Sequence, residues 1–229
     1  MKPKALLAWS SGKDSAWALH RLRLSGQVEV VGLVTTFNEA FQRVAMHGVS
    51  RDLVHAQADA ARLPLWPVPL PWPCTNTVYE DRMRGVVERA RAEGVSAFAF
   101  GDLFLEDIRA YRERQLADTG LAPLFPLWGT PADTPALARA MIDGGLRATL
   151  TCVDPRQLDP TFVGREFDAA LLASFPPGVD PCGERGEFHT FCGAGPMFDC
   201  SIPVRVGETV QRDGFAFADL LPGSASSIS

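Results

Sequence analysis

Short apolar runs alternate with longer stretches of helical spacing through the first half of the chain. Lys4 to Trp9 (KALLAW) is an apolar run of strand length, and Val28 to Thr36 (VEVVGLVTT) is a second, rich in β-branched residues. Leu65 to Leu70 gives a third strand, which Pro67 and Pro69 assign to a sheet edge, and Ser96 to Phe100 gives a fourth. Between them the period lengthens. Ala16 to Leu22 carries good helix formers, so a helix opens at Asp14 or Ser15. Ser50 to Leu63 has helical spacing through Leu53, Val54, Ala56, Ala60 and Leu63; Val78 to Glu93 is a charged amphipathic helix stopped by Gly94; Glu106 to Asp118 is another, with Gly120 after it. Strands alternating with helices predict an α/β fold: parallel βαβ units in a doubly wound sheet.

From Pro126 the pattern changes. Pro126 to Pro131 (PLWGTP) reads as a joint, followed by a helix over Thr134 to Asp143 capped by Gly144-Gly145 and a strand over Leu146 to Val153. Gly164 to Ser174 reads as a helix and Pro176 to Gly186 as a loop; Glu187 to Cys192 and Ser201 to Val206 read as paired strands. The expected organisation is a first domain over 1–125, a smaller α+β domain over 126–222, and a disordered Ser-rich tail over 223–229.

Composition narrows the functional classes. Of 229 residues 46% are hydrophobic and 21% charged, enough for a substantial core. A net charge of −5 gives no electrostatic footprint for nucleic acid. No apolar run approaches the roughly 18 residues of a membrane span, and the one after Lys4 is too short for a signal peptide. The five cysteines (Cys74, Cys152, Cys182, Cys192, Cys200) form no CxxC pair and are odd in number, against both a disulfide framework and a standard zinc site. A cytoplasmic protein is expected.

The chemistry concentrates in Ser10-Ser11-Gly12-Lys13-Asp14-Ser15, a loop of small residues between the first strand and the first helix. Backbone N–H groups at a helix start, together with the helix dipole, favour bound anions. Gly12 permits close backbone approach, Lys13 adds a positive charge, and Ser10 and Ser15 offer hydroxyl donors. With one Gly before the Lys this is not a Walker loop. Asp14 suits either the helix dipole or a water-mediated Mg²⁺ contact. In a doubly wound sheet, ligands bind beyond the carboxyl ends of the strands where the strand order reverses. That rule puts Gly101-Asp102 opposite the loop, with Asp102 a helix cap or a Mg²⁺ or substrate group, and an adenine near Val34 to Thr36.

A second cluster, Gly183-Glu184-Arg185-Gly186-Glu187-Phe188-His189-Thr190, holds two carboxylates, an imidazole and a hydroxyl. In a strand beginning at Glu187, Glu187 and His189 share a face; the segment reads equally as a site wall or as a solvated hairpin. His47, between Met46 and Gly48, reads as structural on its own.

The Ser10–Ser15 loop resembles the pyrophosphate loop (SGGxDS) of ATP pyrophosphatases, with Ser11 in place of the first Gly. In order along the chain come Met46-His47-Gly48, Phe100-Gly101-Asp102, Pro126-Leu127-Trp128, Gly144-Gly145-Leu146, Phe162-Val163-Gly164-Arg165, Gly183 to Thr190 and Gly195-Pro196-Met197-Phe198. Together with the loop, the set resembles the diphthine–ammonia ligase family. The resemblance implies a HUP-like, adenine nucleotide α-hydrolase-like sheet and ATP with Mg²⁺. It also implies a ligase that makes an amide from a carboxylate and ammonia through an acyl adenylate, releasing AMP and pyrophosphate. The expected nucleotide-binding residues are Ser10, Ser11, Gly12, Lys13, Asp14, Ser15, Val34, Thr36, Met46 and Gly101. The expected catalytic residues are Lys13, Asp102, Glu184, Glu187 and His189, with Asp14 and Asp102 toward metal. Partners are ATP or AMP, ammonia or ammonium, and a carboxylate acceptor, with no nucleic acid or membrane; a homodimer is left open. Two alternatives stand beside the ligase: a nucleotide-sensing module without turnover, which Ser11 leaves open, and an RNA-thiolating enzyme.

Overall fold

The computed structural model describes residues 2–41, 43–44 and 48–223; Met46, His47 and all of the Ser-rich tail after Gly223 lie outside the described residues. The first half forms β1 (Lys4–Ala8), α1 (Lys13–Ser25), β2 (Glu29–Asn38), β3 (Arg43–Val44), α2 (Arg51–Ala61), β4 (Leu65–Leu70), α3 (Asn76–Ala92), β5 (Val95–Ala99), α4 (Glu106–Leu116) and β6 (Ala122–Leu124). Parallel pairs β4–β2, β2–β1, β1–β5 and β5–β6 build a sheet that reverses its winding at β1, where β2 and β5 flank it; β3 alone runs antiparallel, beside the end of β2. This is the predicted doubly wound α/β sheet, with the short β6 added.

The proline argument for β4 holds at the level of single bonds. Leu33 N–H donates to Pro64 O and Glu39 N–H to Leu70 O, so the even-numbered β4 residues face β2. Pro67 and Pro69 then direct their missing N–H groups to the open edge, where none is needed. Helix starts follow local chemistry too: the Ser50 and Thr75 hydroxyls accept from Leu53 and Val78 N–H and cap α2 and α3.

The second half forms α5 (Thr134–Asp143), β7 (Arg147–Val153), α6 (Ala169–Ser174), β8 (Phe188–Ala194), β9 (Val204–Arg212) and β10 (Phe215–Pro222). An antiparallel sheet in the order β8-β7-β10-β9 results. Two expectations are corrected. The helix expected from Gly164 begins only at Ala169, because 165–167 run along β7: Gly164 N–H donates to Leu150 O, Leu150 N–H to Arg165 O and Phe167 N–H to Ala148 O. Asp168 then caps α6 through Leu171 N–H at 2.7 Å. The segment near 201–206 pairs with β10, not with 187–192. Its hairpin turns at Asp213-Gly214, both at positive φ, the geometry a tight hairpin of right-handed twist requires.

The two sheets meet at the start of α1. Cys192 N–H on the free edge of β8 donates to Ser11 O at 2.9 Å, and Thr190 Oγ1 accepts from Lys13 N–H at 3.0 Å. Gln57, fully buried on α2, completes the joint: its amide NH₂ donates to Ser11 O (3.0 Å) and Cys192 O (2.7 Å), and its Oε1 accepts from Trp9 Nε1 (2.9 Å). A buried amide with all these bonds made holds three chain segments in register; unmade, each bond exposes a desolvated group. Gln57→Ala removes three hydrogen bonds, and at about 1 kcal/mol each it is expected to lower stability by roughly 3 kcal/mol in a urea titration.

Candidate active site

A cleft of about 550 Å³ opens where the sheet reverses its winding, within the roughly 300–1,000 Å³ of small-molecule sites. Its floor runs from Val34 and Thr36 of β2, past Trp9, Ser10, Lys13, Asp14 and Ser15, to Phe98 of β5 and Phe100, Gly101 and Asp102 beyond it. Leu105, Ile108 and Arg112 of α4 and Tyr79 and Met83 of α3 form one wall; Gly183, Glu184, Gly186 and Phe188 to Thr190 form the other. Sequence segments more than 170 residues apart thus share one cavity.

The loop is wound before anything binds it. Ser15 Oγ donates to Gly12 O (3.0 Å), Ser10 and Ser15 share a hydroxyl contact of 3.2 Å, and Gly12 closes α1 as its N-cap. The first-turn N–H groups after Lys13 have no intrahelical acceptor and carry the positive end of the dipole. Gly101 presses against this turn: a Cβ there would lie 3.0 Å from Asp14 C and Ser15 N. Glycine is required because β5 must bring Asp102 this close to the loop.

Lys13 departs from a freely extended phosphate ligand. It is buried; its Nζ donates to the Asp14 carboxylate (2.9 Å) and to Cys182 O, and it sits over the rings of Phe167 and Phe188. The residue therefore has a structural reason to be there, the one that residue type alone did not supply. Burial works against the charge on Lys13, but Asp14, Cys182 and Glu184 together hold the ammonium above its ordinary value. Desolvation raises the Asp14 carboxyl against the pull of Lys13, and raises Asp102 against the pull of Arg112, whose Nε lies 3.4 Å from Asp102 Oδ2.

The Gly183–Thr190 segment divides its carboxylates. Glu184 lines the cleft and accepts from Leu103 N–H at 2.8 Å; burial pushes its carboxyl up to about 7, with Asp14 and Asp102 adding to the shift. His189 also lines the cleft, and burial reinforced by the Lys13 charge takes it down to about 4, so its ring is neutral at pH 7. Glu187 turns the other way. Buried before the start of β8, it accepts from Asp180 N–H and Arg185 N–H, both at 2.9 Å, and shapes the loop. The expectation that Glu187 shares a site face with His189 is corrected: a buried carboxylate is stable here only with those two donors.

Of the remaining expected residues, Ser10, Lys13, Asp14, Ser15, Val34, Thr36, Gly101 and Asp102 border the cleft, Gly12 caps the helix behind it, and Ser11 is buried beneath. Met46 lies outside the described residues. Sequence reasoning missed Gln57, which reads as an ordinary helix residue, and Arg112, one of several arginines on a charged helix. Neither carries a local signal. Thr190 was legible only as part of its cluster.

Comparison with known proteins agrees with this architecture. The family model of the diphthamide synthase N-terminal domain matches residues 1–123, and that of the C-terminal domain matches 133–219. The chain belongs to the diphthamide synthase family. It is 29% identical to a diphthine–ammonia ligase of Bos taurus over 95% of this chain and 88% of the relative. Relatives of the same name from Danio rerio and Homo sapiens are 34% and 31% identical, over 59% and 63% of this chain and 53% and 55% of their own lengths. The chain thus spans nearly all of the bovine relative and about half of the others.

Within this diphthamide synthase fold, Ser11 explains the glycine of the resembling loops. Its φ is +69°, a left-handed conformation, and its buried hydroxyl has no hydrogen-bond partner among the described residues. Left-handed backbone costs a non-glycine residue about 1–2 kcal/mol, partly offset by the roughly 0.5–1 kcal/mol of chain entropy that glycine forfeits. With the lone hydroxyl removed as well, Ser11→Gly is expected to raise stability by about 1 kcal/mol in denaturant titration. Because the Ser11 side chain lies outside the cleft lining, the same variant is expected to keep its ATP affinity within about threefold by calorimetry.

Proposed function

We propose that this protein is an AMP-forming amide ligase that activates a carboxylate with ATP and transfers ammonia to it. The acceptor is diphthine, the group for which its relatives are named; the family resemblance puts it on translation elongation factor 2, and the reaction takes place in the cytoplasm. The observation that carries the reading is a single cleft with an anion-binding helix start at its floor and a near-neutral carboxylate, Glu184, on the opposite wall. The adenine lies at the β2 end by Val34 and Thr36, and the phosphates lie on the first turn of α1.

The acceptor carboxylate attacks the α phosphorus, the bond to the β-phosphate bridge breaks, and pyrophosphate leaves with the electron pair. The fixed N–H groups of α1 and the Lys13 charge stabilise the phosphate oxygens in place, without reorganisation. Asp14 and Asp102 border the cleft, each facing a cation, Lys13 and Arg112, and among the described residues no three potential ligands converge on one point; two carboxylates beside phosphate still suit Mg²⁺, which keeps waters and takes only one or two of them. Asp14 and Asp102 would hold it, and when bound it neutralises charge on the departing pyrophosphate.

Ammonia then attacks the acyl carbon and AMP leaves. Ammonium must first lose a proton, and the choice of base follows from the environments. His189, down at about 4, is a weak acceptor at neutral pH, whereas Glu184, up at about 7, is matched to the task. Thiolation finds no support in the buried thiols: burial pushes Cys152, Cys182 and Cys192 up to about 12, where they stay protonated.

Incubation with Mg-ATP, ammonium and diphthine-bearing elongation factor 2 is expected to yield AMP and pyrophosphate by chromatography; ADP as the main product would overturn the mechanism. A nucleotide-sensing module would bind ATP in calorimetry and release neither product. Amide formation is expected to rise with pH through an apparent value near 7 as Glu184 loses its proton. Glu184→Gln is expected to remove that limb from the pH–rate profile while leaving ATP affinity intact.

A further inference from the structure

The cleft has little free positive charge to offer a polyanion. Among the described residues that line it, the cations are Lys13 and Arg112, set against the carboxylates of Asp14, Asp102 and Glu184; His189 is neutral at pH 7. Lys13 is committed inward. Its buried ammonium donates to both oxygens of Asp14, at 3.0 and 2.9 Å, and to Cys182 O, and it lies over the rings of Phe167 and Phe188. Three donors meet three acceptors, so Lys13 serves as a charge behind the loop and has no N–H left for a phosphate oxygen.

Arg112 is held differently. Its guanidinium lies 4.9 Å from the centre of the Phe100 ring and 5.9 Å from that of Tyr111, and its Nε donates to Asp102 Oδ2 at 3.4 Å. The terminal amino groups have no hydrogen-bond partner among the described residues, and the side chain is 27% exposed. Nε and the ring faces thus fix the plane of the fork while its tip stays unspent, and phosphate oxygens match such a fork with two parallel bonds. Arg112 also borders a smaller cavity between α3 and α4, but Asp102 lines the cleft alone, so their bond anchors the guanidinium at the cleft.

Position along the cleft selects the ligand. Val34 and Thr36 of β2 lie on one side of β1 and the first turn of α1, and Asp102 and Arg112 lie on the other, beyond β5. A nucleotide with its adenine at β2 and its phosphates on α1 therefore extends its terminal phosphates toward Arg112. We propose that Arg112 is a ligand of the β- and γ-phosphates of ATP and holds the pyrophosphate as it leaves, with Asp102 as the residue that positions the fork. This rests on the nucleotide reading above and adds a catalytic residue to it. When the bond from the α phosphorus to the bridging oxygen breaks, the electron pair stays on that oxygen. Negative charge then grows on the pyrophosphate, at the end of the cleft where the free fork stands.

The test is calorimetry on the full chain with ATP and with AMP, at saturating Mg²⁺ and without acceptor. Arg112→Met, which keeps an apolar stem against Phe100, is expected to weaken ATP at least about tenfold, the loss of a charged hydrogen-bonded pair, while AMP stays within about twofold. The AMP affinity also reports that the variant folds. Arg112→Lys, a point charge without the fork, is expected to fall between Arg112→Met and the wild type for ATP and to match the wild type for AMP. Variants that bind ATP as the wild type does overturn this inference alone. Equal losses of ATP and AMP in both variants place Arg112 away from the terminal phosphates and overturn it as well. If the wild-type protein binds no ATP, the nucleotide reading fails and takes the inference with it.

Discussion

The carbonyl of Ser11 is the point on which the structure turns. It accepts from Gln57 of α2 and from Cys192 of β8, so an element of each half of the chain grips the peptide behind the first turn of α1. A loop of small residues has little side-chain packing of its own and would otherwise sample many conformations. Here the orientation of its N–H groups is fixed by bonds made on the far side, away from the cleft. Preorganised donors are worth most where charge develops in a site that excludes water. The second half of the chain therefore acts on the cleft in two ways: β8 holds the Ser10–Ser15 loop from behind, and β8 with the loop before it sends His189 and Glu184 to the opposite wall.

Charge in the cleft is arranged by burial as much as by pairing. Lys13 and Asp14 pair at the helix start, Arg112 faces Asp102, and Glu184 has a single backbone donor from Leu103. The difference in partners separates the carboxylates: Glu184, desolvated and near two other acids, rises to about 7. Glu187, two donors deep in the loop, serves as scaffold three residues away. Two glutamates in one short motif thus have unlike tasks, decided by whether the backbone donors or the cavity reach them first.

Most of the fold was legible. Apolar runs and helical spacing marked β1, β2, β4 and β5 and the helices between them, and the prolines of β4 marked an edge. The helix over 164–174 was misread because Glu166, Phe167 and Asp168 have helix-compatible spacing, while the open edge of β7 offers their backbone a better set of bonds. The β9–β10 hairpin was missed although Asp213-Gly214 signals its turn, and Phe215, Phe217 and Ala216 alternate across it. The site residues were legible where a loop concentrates unusual residue types and invisible where a common type does the work, as with Gln57 and Arg112.

The sequence by itself determined the parallel sheet, the small-residue turn after β1 and the polar cluster at 183–190, because these depend on local periodicity, backbone freedom and residue type. Only the tertiary structure decided which members of those clusters meet. Cys192 reaches the loop through its backbone N–H because β8 lies at the edge of its sheet, Thr190 reaches it through its hydroxyl, and Glu187 does not because its carboxylate is consumed by Asp180 and Arg185. Burial, hydrogen-bond satisfaction and charge at a distance are properties of neighbours in space, and a linear pattern does not carry them.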